Sequence, residues 1–98
     1  MRRGTTHQLT FTLPEEISIA ALYITFQQNN WTVLEKSLDD VEVNGKVIAV
    51  NLTQEDALRF YAPQVIQIQI RIRDTDGNAL ASKIIRTDAE TILKDGVI

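Results

Sequence analysis

The chain has 98 residues, 44% of them apolar, with 10 Lys and Arg against 13 Asp and Glu and a formal charge of −3. That length suits one core, and an average apolar share with charge of both signs excludes a disordered chain. Nucleic acid and anionic membrane are disfavoured as partners because no basic excess is present to neutralise phosphates, and with no cysteine neither a disulfide nor a thiolate metal site braces the fold.

Arg2 and Arg3 are followed by GTTHQLTFTLPEE, which alternates in polarity and has no apolar h-region, so no export signal of the chain's own is expected. Leu9, Phe11 and Leu13 alternate with Gln8, Thr10 and Thr12, predicting a first strand at about 7–13 that Pro14 ends for want of an N–H. The apolar run ISIAALYITF is about half of the ~20 residues a membrane-spanning helix needs, and reads as core strand. A second strand at about 19–28 puts Leu22, Ile24 and Phe26 on one face and Ala21, Tyr23 and Thr25 on the other. Asn29-Asn30 tolerates left-handed backbone, and predicts a hairpin into WTVLEK.

VEVNGKVIAV predicts a second hairpin turning at Asn44-Gly45, with Val43 opposite Lys46 and with Val41, Val43, Ile48, Val50 and Leu52 on one face. Thr53 is placed to cap a short helical turn, with Asp56 as the reciprocal partner. QVIQIQIRIR then alternates strictly, Ile66, Ile68, Ile70 and Ile72 against Gln67, Gln69, Arg71 and Arg73. DTDGNA turns this strand into LASKIIRT, in which Leu80 and Ile84 compete with Ile85 for the inward face. The tail after Thr87 fits helix, strand or packed coil.

Seven short strands with regular turn signals predict an all-β fold, an immunoglobulin-like antiparallel β-sandwich of seven to eight strands with one short helical turn, residues 1–98 forming a single domain. Strand parity directs Leu9, Phe11, Leu22, Ile24, Phe26, Trp31, Val33, Val41, Val43, Ile48, Val50, Leu52 and the four isoleucines of 66–72 inward. Trp31 opens the third strand, near where immunoglobulin domains bury a Trp.

Catalytic chemistry finds few residues. His7 is the only imidazole, and Ser18, Ser37 and Ser82 lie in no nucleophile-elbow context. Asp74, Asp76 and Asn78 begin like a calcium loop, but Ala79 and Ile85 stand where Gly and Glu are required, so a plain turn is expected. Glu15-Glu16 and Asp39-Asp40 are sequence neighbours in turns rather than carboxylates facing each other across a cleft. No cofactor, metal or enzymatic activity is expected. Gln67, Gln69, Arg71, Arg73 and Lys83 form the candidate interaction surface. Trp31, Tyr23 and Tyr61 do not alternate with these charges, so the face reads as solvated or protein-facing rather than as a sugar platform.

MRRGTTHQLTFTLP, LTQED and ALASKII together resemble a family of short proteins encoded by phages and prophages of gut Firmicutes. More loosely, the chain is similar to the β-sandwich at the start of phage upper-baseplate proteins. Members of the family carry Pro where this chain has His7. The resemblance covers nearly the whole chain, and its motifs are structural. It implies a virion- or tail-associated structural protein, located in the particle or in the cytoplasm of the bacterial host. The expected partners are further copies of the chain, as a homo-oligomer, or other phage structural proteins. The rival expectation is a host-surface carbohydrate-binding module using the loops at 37–40 and 74–78.

Overall fold

A computed structural model describes residues 1–98. Eight strands form: β1 (His7–Thr12), β2 (Ile19–Gln28), β3 (Trp31–Ser37), β4 (Val41–Asn44), β5 (Val47–Leu52), β6 (Gln64–Asp74), β7 (Ala79–Ala81) and β8 (Ile85–Ala89). A 3₁₀ turn (Leu38–Asp40) joins β3 to β4, and helix α1 (Gln54–Leu58) joins β5 to β6. One sheet has the order β1-β5-β4; the other runs β3-β2-β6-β7, with β8 also pairing along β6. All pairings between these strands are antiparallel.

This is an immunoglobulin-like sandwich. In the usual lettering β1, β5 and β4 stand as B, E and D, and β3, β2, β6 and β7 with β8 stand as C′, C, F and G. No full strand takes the place of A. Residues 1–3 supply only one parallel bridge, Arg2 to Glu90, with Arg3 N–H donating to the Glu90 carbonyl at 2.9 Å.

The core follows from period-two patterning. Ile66, Ile68, Ile70 and Ile72 are 0, 4, 4 and 6% exposed, and meet Leu22, Ile24 and Phe26 of β2 and Ile48, Val50 and Leu52 of β5. At about 1.5–3 kcal/mol per buried side chain, the β6 isoleucines contribute on the order of the net stability of a small domain. Burial of this strand therefore decides whether the sandwich holds. No helix is long and apolar enough to cross a membrane.

Local signals are met at three turns. Asn29 and Asn30 have φ of 52° and 66°, closing the β2–β3 hairpin between the paired Gln28 and Trp31. Both φ values are positive, as a type I′ turn requires. The Thr53 hydroxyl accepts from Asp56 N–H at 3.1 Å while Asp56 Oδ2 accepts from Thr53 N–H at 3.0 Å, completing the α1 capping box. Asp74 closes the β6–β7 turn by accepting from the backbone N–H groups of Asp76 (3.0 Å) and Asn78 (2.8 Å), so this carboxylate serves the turn.

Elsewhere the structure corrects the sequence reading. The β4–β5 turn is Gly45-Lys46: Asn44 pairs with Val47 and Val43 with Ile48. Positive φ occurs at Gly45 (61°) and not at Asn44, so Gly takes the first central position, as in a type II′ turn. This two-residue slip preserves parity, and the expected apolar face survives. Val43 nevertheless is 41% exposed, because edge strand β4 ends in a projecting hairpin.

Trp31 is 77% exposed rather than buried, and Leu34 occupies the core at 4%. The β2–β3 register shifts between Phe26↔Leu34 and Gln27↔Thr32, leaving Val33 as an extra residue. This bulge resets the parity of β3 so that Leu34 faces inward opposite Phe26, while Trp31, the first residue of the strand, stays exposed. The run expected as one last strand is broken at Ser82, whose hydroxyl accepts from Ile70 N–H at 3.0 Å and whose carbonyl accepts from Gln69 Nε2 at 3.0 Å. Leu80 of β7, Ile84 between β7 and β8, and Ile85 of β8 are all about half exposed. Beyond Ala89 the tail is irregular, and the Gln54 side chain holds Ile98 by two hydrogen bonds, at 2.8 and 3.2 Å.

Candidate functional site

Four of the five candidate residues lie together. Gln67, Gln69, Arg71 and Arg73 occupy the outer face of β6, opposite Gln27, Thr25, Tyr23 and Ala21 of β2. Arg86 of β8 pairs with Gln67, extending the basic column. Lys83 is exposed in the interruption between β7 and β8, next to Ser82, whose carbonyl accepts from Gln69. The face also holds an aromatic that strand-by-strand reading missed, since Tyr23, half exposed, stands directly across from Arg71. Pairing between distant strands placed it there, and no spacing within β6 could reveal it. Gln69 commits one of its two amide N–H donors to the Ser82 carbonyl.

The two loops expected for sugar binding leave the sheet on either side of β2. The turn after β6 lies at the Ile19 end of β2, where Thr75 N–H donates to the Ser18 carbonyl at 3.0 Å. The 38–40 turn follows Ser37, which pairs with Tyr23 midway along β2. β3 and β6 flank β2 on opposite sides, so the two loops belong to opposite flanks of one sheet.

Acid–base machinery is not assembled around His7. Its Nε2 lies 2.6 Å from the Thr5 hydroxyl and 3.2 Å from the Arg2 carbonyl, and no carboxylate is among its partners. Three aspartates have lowered pKa values for structural reasons. A backbone N–H from Ser37 holds Asp40 down, and one from Asn78 does so for Asp74. Partial burial opposes ionisation of Asp56, but the Thr53 N–H and the Lys36 ammonium at 3.0 Å outweigh it. These groups cap and clamp the fold.

Two further features went unseen in the sequence. The first is an apolar seam of about 520 Å³ between the sheets, walled by Phe11, Leu13 and Ile17 on one side and by Leu80 and Ile85 on the other, with Ile70 and Ile72 at its floor. It opens between β1 and β7, each of which pairs on one side only. The second is a cleft at the opposite, Asn29-Asn30 end, bounded by Trp31, Arg59 and Tyr61. Both depend on which strands become neighbours, so neither leaves a local pattern.

No protein-family model matches the chain, and no curated protein sequence matches it. Among solved structures it is similar to the V domain of amphioxus IgVJ-C2, at 15% identity and a TM-score of 0.40 over 94% of this chain and 97% of that one.

Proposed function

We propose that the chain is a non-enzymatic structural module of a phage or prophage particle, in the tail, baseplate or another virion-associated assembly, and that it assembles by accepting an extended segment at the open seam. The supporting observation is the pair of bare strand edges beside apolar walls. β1 (HQLTFT) and β7 (ALA) carry no Lys, Arg, Asp, Glu or Pro, whereas the other edges, β3, β4 and β8, carry Glu35, Lys36, Glu42, Arg86 and Asp88. Edges of monomeric proteins are ordinarily blunted by such residues; here the edges without them flank the groove. An added strand satisfies the free N–H and C=O groups of β1 and buries alternate side chains against Phe11, Leu80 and Ile85. The segment comes from a second copy or from a neighbouring structural protein.

Light scattering at micromolar concentration tests this, with the chain alone and with products of neighbouring phage genes. The expected result is a homo-oligomer or mixed complex burying more than about 1,000 Å², dissociated by Leu80→Arg, a change at a half-exposed position that leaves the circular dichroism spectrum intact. A strict monomer that binds none of those proteins refutes the proposal.

A further inference from the structure

The Trp31 cleft has no part in strand addition, and its construction is that of a small ligand site. We infer that it binds an acidic saccharide, with the rings of Trp31 and Tyr61 stacking on the sugar and Arg59 holding the carboxylate.

Three observations converge. Two large aromatics stand in the open, Trp31 at 77% and Tyr61 at 68% exposure. They do not consume each other's faces, since the packed aromatic pair of the molecule is Phe26 with Phe60, 5.8 Å between centroids. The cleft they bound holds about 550 Å³, within the range of ligand pockets and sufficient for one or two sugar rings.

The backbone that carries the aromatics is also held in place, at no expense to their exposed faces. Gln28, only 3% exposed, donates its amide nitrogen to the Tyr61 carbonyl at 2.8 Å and accepts from Tyr61 N–H at 2.8 Å. Its side chain thus grips the Tyr61 backbone as a strand would. The neighbouring Phe60 is buried, and its carbonyl accepts from Arg3 Nε at 2.9 Å. Trp31 leaves a hairpin tip tied down by Asn29, whose Nδ2 donates to Gln64 Oε1 at 3.1 Å. A platform whose backbone is fixed before binding loses less freedom on binding.

Charge supplies the specificity. Arg59, exposed at the end of α1, takes part in no ion pair and no side-chain hydrogen bond, and the Tyr61 hydroxyl likewise has no partner. An unpaired guanidinium beside aromatic faces matches a planar carboxylate, which it holds by two parallel N–H donors. Amphipathic rings suit pyranoses, which present C–H groups on their faces and hydroxyls at their rims. The size and concavity of the cleft favour such a ligand over a protein surface, which requires a far larger contact.

Trp31 is the only tryptophan, so intrinsic fluorescence reads this cleft alone. The full chain is titrated with trigalacturonate, with neutral maltotriose and with inorganic phosphate. The expected result is a saturable spectral shift for trigalacturonate, half-complete below about 1 mM and at least tenfold weaker for maltotriose, with no shift from phosphate. Calorimetry should show at least fivefold weaker binding for Arg59→Gln and loss of binding for Trp31→Ala and Tyr61→Ala, all three variants melting within a few degrees of the parent because the side chains are exposed. Absence of a saturable shift to 10 mM overturns the inference, as does equal binding of maltotriose undiminished in Arg59→Gln. A shift caused by phosphate alone overturns it as well. So does a Trp31 spectrum that changes only with protein concentration, since that places a second copy on the cleft.

Discussion

Replacing Gln28 by Leu tests the clamp that joins the core to the aromatic end. The side chain is 3% exposed and both polar ends are engaged with the Tyr61 backbone at 2.8 Å. Leucine removes both partners and leaves an N–H and a C=O in a partly buried position, where each unpaired group costs about 1–3 kcal/mol. Because this end of the sandwich admits some water, the lower half of that range applies, giving a loss of about 2–4 kcal/mol for the two groups together. The added apolar surface of leucine returns about 1 kcal/mol, for a net destabilisation of about 1–3 kcal/mol. In a domain of this size that lowers Tm by about 5–20 °C, readable by calorimetry or by denaturant titration at unchanged m. Gln28→Glu provides a control with a distinct signature. It keeps an acceptor for Tyr61 N–H but sets a carboxylate oxygen against the Tyr61 carbonyl, so the variant should be less stable at pH 7 than at pH 5, where protonation restores a donor. A Gln28→Leu protein within 0.5 kcal/mol of the parent, roughly the spread of ordinary surface changes, refutes the reasoning and shows that water replaces the clamp.

Ile68→Ala removes a branched side chain that is 4% exposed at the centre of β6 and should cost about 2–5 kcal/mol; an unchanged denaturation midpoint would remove it from the core. Gly45→Val forces a β-branched residue to φ near 61° at a position with no atom near the new Cβ, so its expected loss of about 1–2 kcal/mol, measured by thermal melting, is backbone strain alone. Gly4→Ala should destabilise for two reasons, its φ of 77° and a new Cβ 2.9 Å from Ile92 Cδ1, and should free the tail to faster amide exchange. Asp56 ionises more readily folded than unfolded, so its stabilisation is present well above pH 3.8 and is lost as pH falls through its lower folded value. Asp56→Asn should therefore be less stable than the parent at pH 7, with the gap narrowing as pH falls below 3.8, as judged by melting across pH.

The sequence by itself determined the elements whose cause is local. A strict period of two led β6 to bury Ile66, Ile68, Ile70 and Ile72, since a one-residue slip exposes all four. Asn29-Asn30, the Thr53 box and the Asp74 turn are decided by which residues tolerate left-handed backbone or offer a short-range acceptor. The immunoglobulin-like sandwich class was legible from the number of short strands and the regular turn signals between them, whereas the pairing of β1 with β5 and of β2 with β6 was not. What the tertiary structure decided is everything that depends on a neighbour distant in sequence. The bulge at Val33 arises from pairing with β2, and it sets Leu34 opposite Phe26 in the core while Trp31, at the strand end, stays exposed. Tyr23 joined the face of Arg71 because β2 lies beside β6, although nothing near either residue says so. Phe60 is buried without any periodic signal, because α1 delivers it against Phe26. The seam between β1 and β7 exists because no full strand stands in the place of A, and the Trp31–Tyr61 cleft because one buried glutamine grips a backbone 33 positions away. Side-chain parity is a property of each strand, whereas edges, seams and clefts belong to pairs of elements and take form only when the sheets are stacked.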